Sequence, residues 1–79
     1  MSPREYISKA VKNALNLRRV ECRGSRDGGF SIMLRDFEGH GISVYWFADD
    51  DSIDKIVRSC QEEWDYYRKT DWYERENAA

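Results

Sequence analysis

Seventy-nine residues, of which 41% are apolar, 14% aromatic and 35% charged, make one small domain with a single core, and this aromatic content excludes a disordered chain. No apolar run approaches the ~20 residues of a membrane helix, and the stretch from Met1 to Tyr6 lacks the apolar centre of a signal peptide, so a soluble cytoplasmic protein is expected. The net charge of −2 conceals a change of sign: residues 1–48 carry eight basic and five acidic side chains, residues 49–79 five basic and ten acidic.

Ser2 and Glu5 form a capping box with Pro3 at the first helical position, which predicts a helix over about 3–16. Ile7, Ala10, Val11, Ala14 and Leu15 share one face of it, opposite Ser8, Lys9, Lys12, Asn13 and Asn16. Tyr6 flanks the apolar stripe with its hydroxyl toward water.

Three strands are expected next, over about 17–23, 30–36 and 42–48. In the first, Val20 and Cys22 alternate with Arg19, Glu21 and Arg23. In the second, Phe30, Ile32 and Leu34 alternate with Ser31, Met33 and Arg35. In the third, Ile42, Val44 and Trp46 alternate with Ser43, Tyr45 and Phe47. The glycine-rich connections, Ser25 to Gly29 and Asp36 to Gly41, are short enough to make the three an antiparallel meander.

Asp49, Asp50, Asp51 and Ser52 are four consecutive N-cap residues, followed by Asp54 in an acidic first turn. They predict a second helix over about 52–76, its inner stripe formed by Ile53, Ile56, Val57, Cys60, Trp64 and Tyr67. Asp54 with Arg58, Asp65 with Lys69 and Asp71 with Arg75 have the spacing of stabilising surface pairs. The fold class is therefore α+β, of order αβββα, with both helices on one face of the sheet.

Chemistry finds little support. His40, the single histidine, lies between two glycines and reads as a polar turn residue. Cys22 and Cys60 both alternate inward, as reduced, buried thiols. The glycines precede strands rather than helices, so no phosphate-binding loop is formed. No zinc or calcium spacing exists, and neither a metal, a cofactor nor an enzymatic activity is expected.

Two surfaces are the candidates for binding. A helix reaching residue 76 spans about 37 Å and overhangs strands of about 20–23 Å, carrying Tyr66, Trp72 and Tyr73 away from the core. With Glu62, Glu63, Asp65, Asp71, Glu74 and Glu76 these make an acidic, aromatic contact surface. The alternative is a break near Thr70 that folds Trp72 back under the first helix. The second surface is the open sheet face, where Met33, Tyr45 and Phe47 stand beside Arg19, Arg23 and Arg35. A protein partner, a second copy, a covering segment of the same chain or nucleic acid are its alternative occupants.

The order αβββα is similar to that of the double-stranded-RNA-binding domain and of small toxin ribonucleases built on it. That resemblance is one of fold and carries no site. Four aspartates at the start of the second helix would repel phosphate, so direct nucleic-acid binding is disfavoured; the basic N-terminal half, through Arg18, Arg19, Arg23, Arg26 and Arg35, would carry it. The expectation is a protein-binding module whose acidic aromatic helix occupies a basic, nucleic-acid-receiving surface of a larger protein. Compact inhibitors such as anti-CRISPR proteins have this general make-up, although no family motif is present. A homodimeric adaptor, joined through Met33, Tyr45 and Phe47 or through the Trp72 end, is the competing expectation.

Overall fold

The computed structural model describes residues 3–24 and 26–70, and of Tyr45 and Trp46 the backbone only. The elements follow the order α1 (Pro3–Leu15), β1 (Arg19–Gly24), β2 (Phe30–Arg35), β3 (Gly41–Phe47) and α2 (Ile53–Arg68). The strands form an antiparallel sheet in the order β1-β2-β3, and both helices pack on one face of it. No helix among the described residues is long and apolar enough to cross a membrane.

Local chemistry accounts for most boundaries. α1 ends because Asn16 takes a left-handed backbone, φ 53°, and the Leu17 amide reaches back to the Lys12 carbonyl at 3.1 Å, a bond that satisfies one of the helix's last carbonyls. Leu17, expected as the first residue of a strand, is instead this cap's apolar anchor and is buried. Of the α1 stripe, Ile7 and Val11 are buried and Leu15 half-buried, while Ala14 is exposed.

β2 is the centre of the core. Phe30, Ile32 and Leu34 are all buried on its inner face, against Ile7 and Val11 of α1 and Ile56, Cys60, Trp64 and Tyr67 of α2. Val20 and Cys22 of β1 and Ile42 of β3 are half-buried at the margins of the same cluster.

The third strand departs from simple alternation. Phe30 pairs with Phe47 and Ile32 with Val44, so Ser31 alone faces the two residues Tyr45 and Trp46. This is a β-bulge, and the extra residue moves everything beyond it to the other side of the sheet. Phe47, expected to point outward, is therefore buried, with its ring centroid 5.6 Å from that of Phe30. Gly29 makes this end of the sheet passable: its φ is 75° and a Cβ there would lie 2.7 Å from the Phe47 carbonyl oxygen, closer than any side chain tolerates.

α2 opens as the sequence predicts, with the Ser52 hydroxyl accepting from the Lys55 amide at 3.2 Å. It ends within the described residues, and the rest of the expected range, 71–76, lies outside them. Arg68 is its last residue and Lys69 its C-cap, after which the Thr70 hydroxyl donates to the Tyr67 carbonyl at 2.8 Å. Such a back-bond competes with helical continuation. Sixteen residues extend about 24 Å, close to the length of the strands beneath. The surface pairs also differ from expectation: Lys55 meets Asp51 at 2.8 Å and Gln61 donates to Asp65 at 3.1 Å, whereas Asp54–Arg58 and Asp65–Lys69 do not form ion pairs among the described residues.

Replacing Phe47 with alanine is expected to remove about 3–5 kcal/mol of stability, a loss comparable with the whole stability of a domain this small. Met33→Ala, on the outer face, is expected to cost less than about 1.5 kcal/mol. Urea unfolding of the two variants measures the difference, and equal costs would show that the bulge does not place Phe47 in the core.

Candidate functional site

The first predicted surface is divided by the end of α2. Glu62, Glu63, Asp65 and Tyr66 are all exposed on that helix, with Tyr66 64% accessible. At 100° per residue Tyr66 projects between Glu62 and Glu63, one turn before it. Arg58 and Lys69 share the outer side of the helix, Lys69 one turn after the tyrosine, so two carboxylates and one cation stand a turn from Tyr66. Asp71, Trp72, Tyr73, Glu74 and Glu76, together with Asp71's expected pairing to Arg75, lie outside the described residues.

The second predicted surface loses its strongest apolar member. With Phe47 turned inward by the bulge, the described outer face consists of Arg19, Glu21 and Arg23 on β1, Ser31, Met33 and Arg35 on β2, and Ser43 on β3. Met33 is half-buried there and is flanked by Glu21 and Ser43. The side chain of Tyr45 is not among those described. The arginines have local uses: Arg19 and Arg23 both pair with Glu21, and Arg35 donates to the Gly39 carbonyl. Glu21 thus offsets the repulsion between Arg19 and Arg35, which stand directly opposite each other. The described face is a basic, polar surface rather than an apolar one.

The aspartates before α2 are mostly engaged. The Asp51 carboxylate accepts from the Ala48 amide at 2.8 Å and from Lys55 Nζ at 2.8 Å, and these bonds, the lysine's foremost, hold its pKa below the ordinary value of 3.8. Asp49 accepts from the Gly29 amide at 3.2 Å and lies 3.7 Å from Arg4. It therefore ties the β1–β2 loop and the start of α1 to the entry of α2. Asp50 and Asp54 remain as exposed acids.

A third cluster escaped the sequence reading. His40 lies in a turn, as expected, but it is 2% exposed and not a surface residue. One Asp36 carboxylate oxygen accepts from the Glu38 and His40 amides, each at 2.9 Å, while the other lies 3.1 Å from His40 Nδ1. Glu38 approaches the same nitrogen at 3.7 Å. Asp36, Glu38 and His40 bring one donor atom each within 4.8 Å of one another, a set a divalent cation could use. Their alternate spacing across the turn was the available signal. The Asp36 carboxylate is already committed to closing the turn and holding the ring inward, so a structural clamp accounts for the cluster. A ring this enclosed has no access to a substrate, which a general base requires.

Neither thiol has the setting of a nucleophile. Cys60 is fully buried, and burial, reinforced by Cys22 and Glu63, pushes its pKa up to about 12. Cys22 is half-buried and sits 3.3 Å from the Ser8 hydroxyl. Comparisons with protein families, with curated proteins and with solved structures find no match to this chain.

Two results are expected from these arrangements. Asp36→Ala leaves the Glu38 and His40 donors without their acceptor and is expected to cost about 1–3 kcal/mol in urea unfolding; an unchanged midpoint would remove the clamp. A disulfide reagent at pH 8 is expected to modify Cys22 in the folded protein while Cys60 reacts only on unfolding, and mass spectrometry of the labelled peptides reads which thiol carries the adduct.

Proposed function

We propose that this chain is a non-enzymatic protein-binding module whose acidic, aromatic side occupies a basic surface of a larger protein, of the kind that otherwise receives nucleic acid. The single observation that carries the reading is Tyr66, 64% exposed between two exposed glutamates. An aromatic ring supplies contact area at low entropic cost, and flanking carboxylates steer it toward a cationic groove. The inner stripe of α2, Ile56, Cys60, Trp64 and Tyr67, covers the core without Tyr66. A compact inhibitor of the anti-CRISPR type is the narrower form of this proposal.

Charge separation in the described domain adds support. Residues 3–35 carry eight basic and three acidic side chains, apart from residue 25, while residues 36–70 carry four basic and nine acidic. A molecule polarised in this way orients itself in the field of a charged partner before contact, which raises the rate of productive encounter.

The test places a photoreactive benzoylphenylalanine at position 66 and, separately, at position 43 on the outer sheet face, in the cells that make the protein. The expected result is one defined crosslinked protein from position 66, lost when Glu62 and Glu63 are changed to lysine in a variant that keeps its circular dichroism. A defined crosslink from position 43 with none from position 66 would overturn the α2 surface in favour of the open sheet.

A further inference from the structure

A concave feature of the described domain is lined by residues that the Tyr66 surface does not use. It is a groove of about 620 Å³ between α1 and β1. Ser8, Lys9 and Lys12 line it from the helix, and Arg18, Val20 and Cys22 from the strand side. Three properties of this groove belong together.

The first is the backbone. β1 stands at one edge of the sheet with β2 on its other side, so among the described residues one side of its six residues has no strand beside it. An open edge is a template for a further strand. The second is charge. Arg4 and Arg19 also border the groove, making five cations against Glu5 and Glu21. Arg19 is paired with Glu21 and Arg4 with Asp49, but Lys9, Lys12 and Arg18 form no ion pair among the described residues. The third is the floor. Val20 and Cys22 are half-buried and offer an apolar strip beneath the cationic rim.

We infer that the α1–β1 groove receives an extended acidic peptide segment of a partner protein, which adds to the sheet as a fourth strand alongside β1. Main-chain hydrogen bonds to the free edge supply the pairing, and carboxylates on alternate residues of the peptide meet Lys9, Lys12 and Arg18. The spacing suits this: alternate residues of a strand are about 6.8 Å apart, and Lys9 and Lys12 are separated by about 4.5 Å along the helix, within reach of flexible side chains.

The basic residues also select against other occupants. A second copy of β1 paired antiparallel in the register centred on Glu21 would set Arg19 opposite Arg23 and glutamate opposite glutamate, so that register of self-pairing is opposed. A continuous phosphate backbone would meet Glu5 and Glu21 as well as the cations, whereas a peptide can place uncharged residues opposite those carboxylates. This site uses no residue of the Tyr66 surface, and the two stand or fall separately.

The experiment uses a fluorescein-labelled eight-residue peptide of alternating glutamate and threonine, titrated with the full chain and followed by anisotropy. The companion ligands are the same peptide with alternate amides N-methylated, a lysine–threonine peptide of equal length, and a twelve-base-pair RNA duplex. Saturable binding of the glutamate peptide is expected, weakened at least tenfold by N-methylation and by the exposed-site double variant Lys9→Glu, Lys12→Glu. Chemical-shift changes are expected to run along the β1 amides. Tyr66→Ala is expected to bind the peptide as the original chain does, so a failed crosslink at position 66 leaves this test intact. Equal binding of the methylated peptide would overturn strand addition, and binding of RNA but not of the glutamate peptide would reassign the groove to nucleic acid. No binding of the glutamate peptide would also overturn the proposal.

Discussion

Because β2 has a strand on each side and both helices across one face, its three inward residues, Phe30, Ile32 and Leu34, must be dry together or not at all. Each helix contributes a stripe whose spacing matches that single face: Ile7 and Val11 from α1, and Ile56, Cys60, Trp64 and Tyr67 from α2. A chain of this size has no second cluster to fall back on, so the position of every element is set by how it covers β2. The bulge in β3 is a consequence. It brings Phe47 to the inner face beside Phe30, closing the end of the core where the chain leaves the sheet for α2.

The same constraint distributes the charges. With one sheet face and two helical stripes turned inward, the charged residues gather on the remaining surfaces according to the half of the chain they come from. The basic residues of α1 and β1 surround the groove beside the sheet edge. The acids that follow β3 serve mainly to start α2: Asp51 binds the Ala48 amide and Lys55, and Asp49 joins Arg4 and Gly29. Charge that looks like a recognition signal in the sequence is thus partly consumed by folding, because carboxylates at a helix start are stabilised by the free amides there. The carboxylates around Tyr66 have no such use.

Much of the architecture was legible from short-range patterns. A 3.6-residue period marked both helices, a two-residue period marked β1 and β2, and Ser52 was a recognisable cap. The candidate sites were less legible. Glu62, Glu63, Asp65 and Tyr66 were correctly read as outward because helical phase is preserved within one unbroken helix. Phe47 was misplaced because alternation in a strand survives only until an extra residue enters it. The turn setting of His40 is visible locally, but its burial is not, because the Asp36 clamp folds back on it from four residues away. The groove between α1 and β1 had no signal of its own, since its two walls are separate elements, and neither wall is concave alone.

The amino-acid sequence by itself determined the number, type and order of the elements and the inner stripe of each helix, because these depend on periodicities and caps within a few residues. The tertiary structure alone decided the register of β3, the end of α2 at Arg68, the burial of His40 and the meeting of Lys9, Lys12 and Arg18 along one groove. The reason is physical: a strand's register is fixed by the partner it pairs with, and a groove by the distance at which two packed elements come to rest.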